Sequence, residues 1–446
     1  MSDLRDKNSL GGRIRRYARV STSVGGLAAR LLGSHFLGLG ADRGRQAAQF
    51  RNALGGLKGP VMKVAQMLAT IPEALPGEYV AEFTQLQSNA PSMGWPFVRR
   101  RMAAELGTNW RQRFDRFEQT AAAAASLGQV HKATSLDGRR LACKLQYPDM
   151  GAVVEADLRQ LRVALAIFSR YDKAIDPSQI LLEIGERLRE ELNYQLEARH
   201  MSAFGHMLGG EEGIHVPEVV AALSTGRLLT MTWLDGRPLL DYRHEPLAVR
   251  NRLATQLFRA WYVPFHRFGI IHGDPHLGNY SVRDDLTINL LDFGCVRIFP
   301  AKFVHGVIDL YKALQCNDRE LAVHAYQTWG FKNLNRDVID ALNMWAEFAY
   351  APLMDDRVRR IQEVEKPGIY GRDVVEAVHR RLRELGPVTP PREFVFMDRA
   401  AVGLGSVFMH LGAELNWRRL FEELIEGSTP QKLRRAQKRV LDVKSQ

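Results

Sequence analysis

The sequence predicts an α+β chain of two lobes, a small strand-rich lobe bearing a prominent helix and a larger, mostly helical lobe. A helical N-terminal extension precedes both. Three observations predict this. From Phe114 to Leu145 the texture changes to an alanine run, a turn at "LDGRR" and then "RLACKLQY", which has the character of a strand. Two further strand candidates, "HVPEVVAAL" and "GRLLTMTWLDG", are joined by "STG", and the second runs into a connector at Asp235 to Pro238. Beyond that connector, residues 245 to 268 and almost everything from Pro300 onward read as helix. With 446 residues and 46% hydrophobic content, the chain can bury a core and suggests two or three structural units.

In chain order, residues 1–50 form a basic leader. Arg13, Arg15, Arg16, Arg19 and Arg30 are interleaved there with Ile14, Tyr17, Val20, Leu27, Leu31 and Leu32. Two readings stay open, a solvated basic helix or terminus and a segment lying in a membrane interface; the glycines weaken the helix. Residues 51–113 read as a helical extension broken at "GGLKGP", "IPEALPGEY" and "NAPSMGWP". Residues 114–235 form the small lobe. Its strand pairs are separated by long helices over residues 151 to 206, punctuated at "AIDPSQ". Residues 236–446 form the large lobe.

The excess of 61 Lys+Arg over 50 Asp+Glu gives +11 and favours an anionic partner: a lipid surface, a nucleic acid or a phosphorylated ligand. Charge alone does not choose among them. Cys143, Cys295 and Cys316 form no CxxC pair, so neither a zinc site nor a disulfide framework is supported, and a reducing compartment fits best. The start lacks the compact apolar core of a secretory signal, and no window approaches roughly 18 uninterrupted apolar residues. The expectation is a cytoplasmic protein with no transmembrane segment, attached peripherally, if at all, to the inner face of a membrane.

The chemistry concentrates in "IIHGDPHLGNYSVRDDLTINLLDFG", Ile270 to Gly294. Five residues separate Asp274 from Asn279, and eighteen separate Asp274 from Asp292. These spacings match the catalytic loop and DFG turn of protein kinases. Phosphoryl transfer needs a carboxylate near the attacking oxygen and hard oxygen ligands that hold magnesium on the phosphates. Asp274 is the candidate base or nucleophile-orienting group; Asn279 and Asp292 are the candidate metal ligands. His272 and His276 could suggest a metal site, but His272 stands where kinases place a structural histidine. Upstream, "RLACKLQYP" puts Lys144 on a strand, where an ammonium can grip the α- and β-phosphates. The fold expectation is thereby a bilobal protein-kinase-like fold.

Other motifs depart from ordinary kinases. Where kinases carry GxGxxG over the phosphates, this chain has "AAAAASLGQVHKA", retaining only Gly128, sixteen residues before Lys144. Alanine side chains limit backbone approach, so the nucleotide must be held differently. "LKGPVMKVAQMLATIPEALP" carries Lys63 and Gln66 one helical turn apart, and "REELNYQLEARH" carries Glu191, Asn193 and Glu197. Together these motifs resemble the UbiB family of atypical kinase-like proteins, tied to ubiquinone biosynthesis. The likeness is strong over residues 50 to 300 and loose beyond.

The resemblance implies that Lys63 to Gln66 form the KxGQ signature, that Ala121 to Gln129 form the alanine-rich loop, and that Glu191 to Asn193 form the ExD motif. It implies nucleotide contacts at Ala123, Ala124, Ala125, Ser126, Gln129, Lys144, Lys63, Gln66 and Glu191, and makes Glu197 the partner of Lys144. In the family the KxGQ helix occludes the site where a peptide would dock, so no protein substrate is expected. Ala65 replaces the KxGQ glycine, Asn193 the ExD aspartate, and Leu277 the second proline of HGDPHPGN. None of these changes removes a nucleotide or metal ligand. Past "DFGCVRIFP" there is neither an APE motif nor a long activation segment.

The function expected is that of an atypical ATP-binding enzyme using ATP/ADP and Mg2+, an ATPase or a small-molecule or lipid-directed kinase. The resemblance adds support of quinone or isoprenoid lipid metabolism, with an anionic or quinone-like lipid as partner and no nucleic acid. Two alternatives stay open. One is a small-molecule phosphotransferase resembling aminoglycoside and choline kinases, against which stand the alanine loop, Lys63, Gln66 and the intact DFG. The other is a scaffold with a regulatory nucleotide. Bacterial members of the family carry C-terminal membrane helices, whereas "KLRRAQKRVLDVKSQ" is basic and polar. Membrane attachment is accordingly expected through the leader, the lobe surface or a partner. Oligomeric state is open.

Overall fold

In a computed structural model, the described residues are 93–124, 127–168, 177–362, 372–385 and 391–442. The chain divides into two compact units, Met1–Asn193 and Tyr194–Gln446.

The first unit is built on an antiparallel sheet. Helix α1 (Trp95–Leu106) has a proline in its first turn, where the missing N–H costs nothing, and stops at Gly107, whose φ of 89° closes the chain out of the helix. A 3-10 turn (Trp110–Arg113) leads to β1 (Phe114–Phe117), β2 (Ala123–Ala124), β3 (Gly128–Ser135) and β4 (Arg140–Gln146). Strands β1, β2 and β4 all pair antiparallel with β3. The β3–β4 hairpin turns at Gly138, with φ at 83°, a conformation glycine adopts without strain. Along β3 every second side chain from Gln129 to Ser135 is buried, the period-two pattern of a strand with one face on a core. Helices α2 (Met150–Phe168) and α3 (Pro177–Glu191) pack on each other, and Arg189 Nε donates to Glu155 Oε1 at 2.8 Å between them.

The second unit begins with α4 (Tyr194–Leu208), β5 (Ile214–His215), β6 (Leu228–Thr232) and β7 (Arg237–Pro238). Then come α5 (Leu247–Phe268), β8 (Ile270–His272), β9 (Tyr280–Val282), β10 (Ile288–Leu290) and β11 (Val296–Ile298). The rest is α6 (Ala301–Cys316), α7 (Arg319–Trp329), α8 (Arg336–Met354), β12 (Arg359–Arg360), α9 (Arg372–Glu384), α10 (Arg392–Leu411), β13 (Glu414–Leu415), α11 (Trp417–Ile425) and α12 (Pro430–Leu441). One sheet runs β5-β10-β9-β7, and β8 pairs separately with β11. Asp318, Asn335, Asn416 and Thr429 each accept a backbone N–H at the start of a helix, and Gly269, Gly330 and Gly412 end helices in the left-handed conformation.

The mixed α+β plan agrees with the expectation. One strand reading differs in detail: "HVPEVVAAL" is no continuous strand. Only Ile214–His215 ladders, with β10, while Val219 makes a single bridge to Met231 and Ala221–Leu223 form a 3-10 turn. Pro217 lacks an N–H and interrupts any ladder through this segment. Among the described residues one helix, α10, is long and apolar enough to cross a membrane, but 53% of it is buried within the fold. Phe394, Met397, Ala400, Leu404, Val407, Phe408 and Leu411 are among its buried side chains.

Candidate active site

The second unit brings Asp274, Asn279 and Asp292 into one hydrogen-bonded frame. Strand β8 delivers His272, Gly273 and Asp274 at its end, antiparallel to β11, with His272 opposite Val296. Past the end of that ladder, Gly273 N donates to Cys295 O at 2.6 Å. A Cβ on Gly273 would lie 2.7 Å from Cys295 Sγ and 3.2 Å from Cys295 O, so a larger residue there would force Cys295 to shift. The loop then closes on itself, because Asn279 Nδ2 donates to Asp274 O at 3.0 Å and Asn279 N to His276 O at 2.9 Å. The amide thus spends its N–H on the loop, and its carbonyl oxygen remains to accept a cation. Leu291 N donates to Asn279 O at 3.0 Å, tying the approach to Asp292 to the asparagine. Asp292 itself is held by Gly294 N, which donates to Oδ1 at 2.8 Å.

His272 links the two limbs. Its ring is buried, Nε2 bonds to Asp292 O, and Nδ1 accepts from Asp274 N at 3.3 Å. Those two bonds require the Nε2–H tautomer. It is a scaffold histidine, as expected, while exposed His276 accepts from Gly278 N and caps the 3-10 turn. Beneath the loop, Trp261 Nε1 donates to Tyr280 OH at 2.7 Å; burial, and after it the nearby Asp274 carboxylate, push the Tyr280 hydroxyl well above its ordinary pKa. It stays protonated.

Helix α4 carries Glu197, which is 1% exposed. On the same helix, His200 Nδ1 bonds to Phe293 O at 3.1 Å, and Phe204 packs with ring centroids 5.2 Å from Phe293 and 6.0 Å from His272. Glu197, His200 and Phe204 sit at i, i+3 and i+7, one helix face, so the residues after Asp292 position the helix that presents Glu197.

In the first unit, register decides which residues share a face. Ala123 pairs with Val130, and Val130 with Lys144. Directly opposed residues project to the same side, so Lys144 and exposed Ala123 of the alanine run lie on one face. Gln129 pairs with Ala124 and Leu145 and so points the other way. There it is fully buried: Nε2 donates to Met93 O at 3.1 Å and to His131 Nε2 at 2.7 Å, and Oε1 accepts from Met93 N at 2.6 Å. Its carboxamide is committed to scaffold. Burial, the largest influence, lowers the pKa of His131, while its bond to the Glu118 carbonyl raises it, so the ring sits neutral beneath the sheet.

Glu191 ends α3, half-buried. Gln146, two residues past Lys144, donates to Leu192 O at 3.0 Å and thereby ties the Glu191–Asn193 turn to the lysine strand. Gln146, His200 and Phe204 were absent from the sequence-derived site. Phe204 was findable from its i+7 spacing to Glu197, whereas Gln146 carried no pattern. Lys63, Gln66, Ala125 and Ser126 lie outside the described residues.

Among the described residues no cluster of three or more His, Cys, Asp or Glu could hold a metal. The donor set of Asp292 carboxylate and Asn279 carbonyl fits Mg2+ instead, which is commonly held by one or two protein oxygens and completed by substrate phosphates and water.

A loop aspartate followed by an asparagine and a second aspartate at either side of a β-hairpin is the motif order of the kinase-like class. Residues 85–326 match the ABC1 atypical kinase-like domain, over half of the chain, and the chain belongs to that family. Atypical kinase coq-8, mitochondrial, of Caenorhabditis elegans is 29% identical over 62% of this chain and 37% of its own. For atypical kinase COQ8, mitochondrial, of Saccharomyces cerevisiae the figures are 29%, 57% and 51%. The chain therefore spans about half or less of the length of these curated relatives. A solved structure of Rv3197 with erythromycin, from Mycobacterium tuberculosis, is 27% identical with a TM-score of 0.58, covering 85% of this chain and 96% of that one.

Proposed function

We propose that the protein is a magnesium-dependent ATP-binding enzyme, an ATPase or a small-molecule or lipid-directed kinase, that supports ubiquinone or other isoprenoid lipid metabolism at a membrane surface. The observation that carries the nucleotide reading is the closed frame of Asp274, Asn279 and Asp292, set by the Asn279 Nδ2 bond to Asp274 O and the His272 bonds to both limbs. Asp274 orients or deprotonates the attacking oxygen. Asn279 and Asp292 would hold Mg2+, whose charge neutralises the phosphates when nucleotide is bound. Lys144 supplies the phosphate-gripping cation, and Glu197 keeps the orienting role the family resemblance implies. Ala123 and its neighbours cover the phosphates, with Gln129 acting from behind the sheet. Glu191, Lys63 and Gln66 belong to the same nucleotide site on the family pattern. Quinone comes from that resemblance; kinase-like chemistry comes from the residues.

Lipid contact is supported by α12. Lys432, Arg434, Arg435, Lys438 and Arg439 are exposed, Leu433 and Val440 point inward, and the helix contains no acidic residue. Such a face complements an anionic membrane surface.

The test is phosphate release from Mg-ATP by the purified protein, with and without anionic liposomes, beside an Asp292→Asn control. Release that rises with lipid and disappears in the control is expected. Nucleotide binding without release under either condition would instead support the regulatory-scaffold reading.

A further inference from the structure

Both segments that carry the candidate chemistry lean on one face of α10. Pro275, the residue after Asp274, lies against Gly403: a Cβ built on Gly403 would run into Pro275 Cγ and sit 3.3 Å from its Cβ and 3.4 Å from its Cδ. Gly403 has ordinary helical backbone, not a positive φ, so conformation does not demand glycine there. Glycine inside a helix costs stability relative to alanine, and its presence needs another reason; the ring of Pro275 is that reason. Seven residues earlier, Phe396 receives the Arg297 guanidinium, with Cζ 5.0 Å from the ring centroid, while Arg392 Cζ lies 5.2 Å from the same ring. Positions 396 and 403 are two turns apart and share a helix face, and between them Ala400 is 1% exposed.

The two contacts reach opposite limbs of the site. Pro275 belongs to the loop of Asp274 and Asn279, and Arg297 lies on β11, five residues past Asp292. The limbs already meet through the β8–β11 ladder and Gly273 N to Cys295 O. That ladder fixes their spacing along the strands. The α10 face fixes how far each limb stands off the helix.

We infer that α10 is a positioning surface for phosphoryl chemistry, in which Gly403 seats Pro275 and Phe396 seats Arg297 so that Asp274 keeps its distance from the Asn279 and Asp292 oxygens. Neither residue is catalytic. This rests on the nucleotide reading of the site. A misplacement of about 1 Å costs on the order of a hundredfold in rate when reacting groups must be aligned. A methyl at 403 displaces Pro275 by an amount of that order.

The experiment compares wild type, Gly403→Ala, Pro275→Ala, the double variant and Phe396→Leu. Three quantities are read: Mg-ATP turnover, nucleotide Kd, and hydrogen exchange of the ligand-free protein over residues 272–280. Gly403→Ala is expected to lower kcat at least about tenfold with Kd held within about twofold, and to raise exchange in the loop. The double variant is expected to return to the level of Pro275→Ala, because alanine lacks Cγ, the ring atom that the new methyl would run into. Phe396→Leu keeps the packing but loses the π face, and kcat should fall with Kd unchanged.

Unchanged turnover in Gly403→Ala, or a loss that Pro275→Ala does not relieve, overturns the proposal. If wild type releases no phosphate, the enzymatic reading fails by itself; unchanged loop protection in Gly403→Ala then overturns the positioning role separately, and raised protection-loss relieved by the double variant sustains it. Should Gly403→Ala not fold, recovery of folded protein in the double variant supports the close approach, and Phe396→Leu carries the kinetic readout.

Discussion

At the scale of single residues, Asp292 and His266 make opposite kinds of prediction. Asp292 is half-buried with Oδ1 held by Gly294 N, so Asp292→Asn keeps size and most hydrogen bonding while removing the charge that, on the proposed function, would hold Mg2+. Magnesium-dependent nucleotide binding should be lost with an unchanged circular dichroism spectrum, and unchanged affinity would remove Asp292 from the metal site. His266 is buried in an aromatic cage of Tyr262, Phe265 and Phe421, and neither ring nitrogen has a hydrogen-bond partner. Burial pushes its pKa from 6.5 down to about 3. The unfolded chain takes up this proton near pH 6.5 and the folded one does not. Stability is therefore intact above that pH and declines as pH falls toward 3, by about 2 kcal/mol at pH 5. Denaturant midpoints at pH 7.5 and 5 should diverge in wild type and converge in His266→Phe. Equal divergence in the two proteins would show that other groups drive the acid sensitivity.

At the scale of elements, α4 and the segment after Asp292 hold each other. Phe204 is fully buried between Phe293 and His272, so Phe204→Ala should cost about 3–5 kcal/mol, read by urea denaturation. Nucleotide affinity should fall with it, because the same rings order the residues beside Asp292; a stability loss with affinity intact would mean that α4 does not set this segment. This scale also separates what the sequence could and could not disclose. The order HGD, Asn279 and DFG made the kinase-like family readable, and the match of residues 85–326 to the ABC1 atypical kinase-like domain agrees with it. The segment containing Pro217 was misjudged as a strand because its apolar run resembles one, while a proline without an N–H divides it. Gln129 entered the nucleotide loop by position in the motif, yet its face depends on pairing register, which composition does not contain: one residue decides whether a side chain joins Lys144 or the core. The Gly403 seat for Pro275 was illegible for a similar reason, since the two residues lie more than a hundred positions apart and meet only through tertiary packing.

At the scale of the whole molecule, the net charge of +11 matters according to where it is concentrated. Many arginines are neutralised locally: Arg259 bridges Glu211 at 2.5 Å and Glu423 at 2.7 Å, and Arg419 meets Asp356 at 2.8 Å. On α12, five exposed cations lie within eight residues, with Leu433 and Val440 anchoring the helix to the fold. Near an anionic membrane each such cation contributes about 1 kcal/mol, weakening beyond a Debye length of about 8 Å at physiological salt. Arg435→Glu with Lys438→Glu should therefore weaken binding to anionic vesicles by at least about 2 kcal/mol, roughly thirtyfold, and more at low salt than at high. Because neither side chain is buried, folding should be unaffected. Co-sedimentation with vesicles of anionic and of zwitterionic lipid is the measurement, alongside phosphate release. Loss of vesicle binding together with the lipid-dependent part of turnover would connect α12 to the enzyme's response to a membrane. Vesicle binding that survives both reversals would exclude α12 and direct attention to residues 1–50, whose arginines lie outside the described residues.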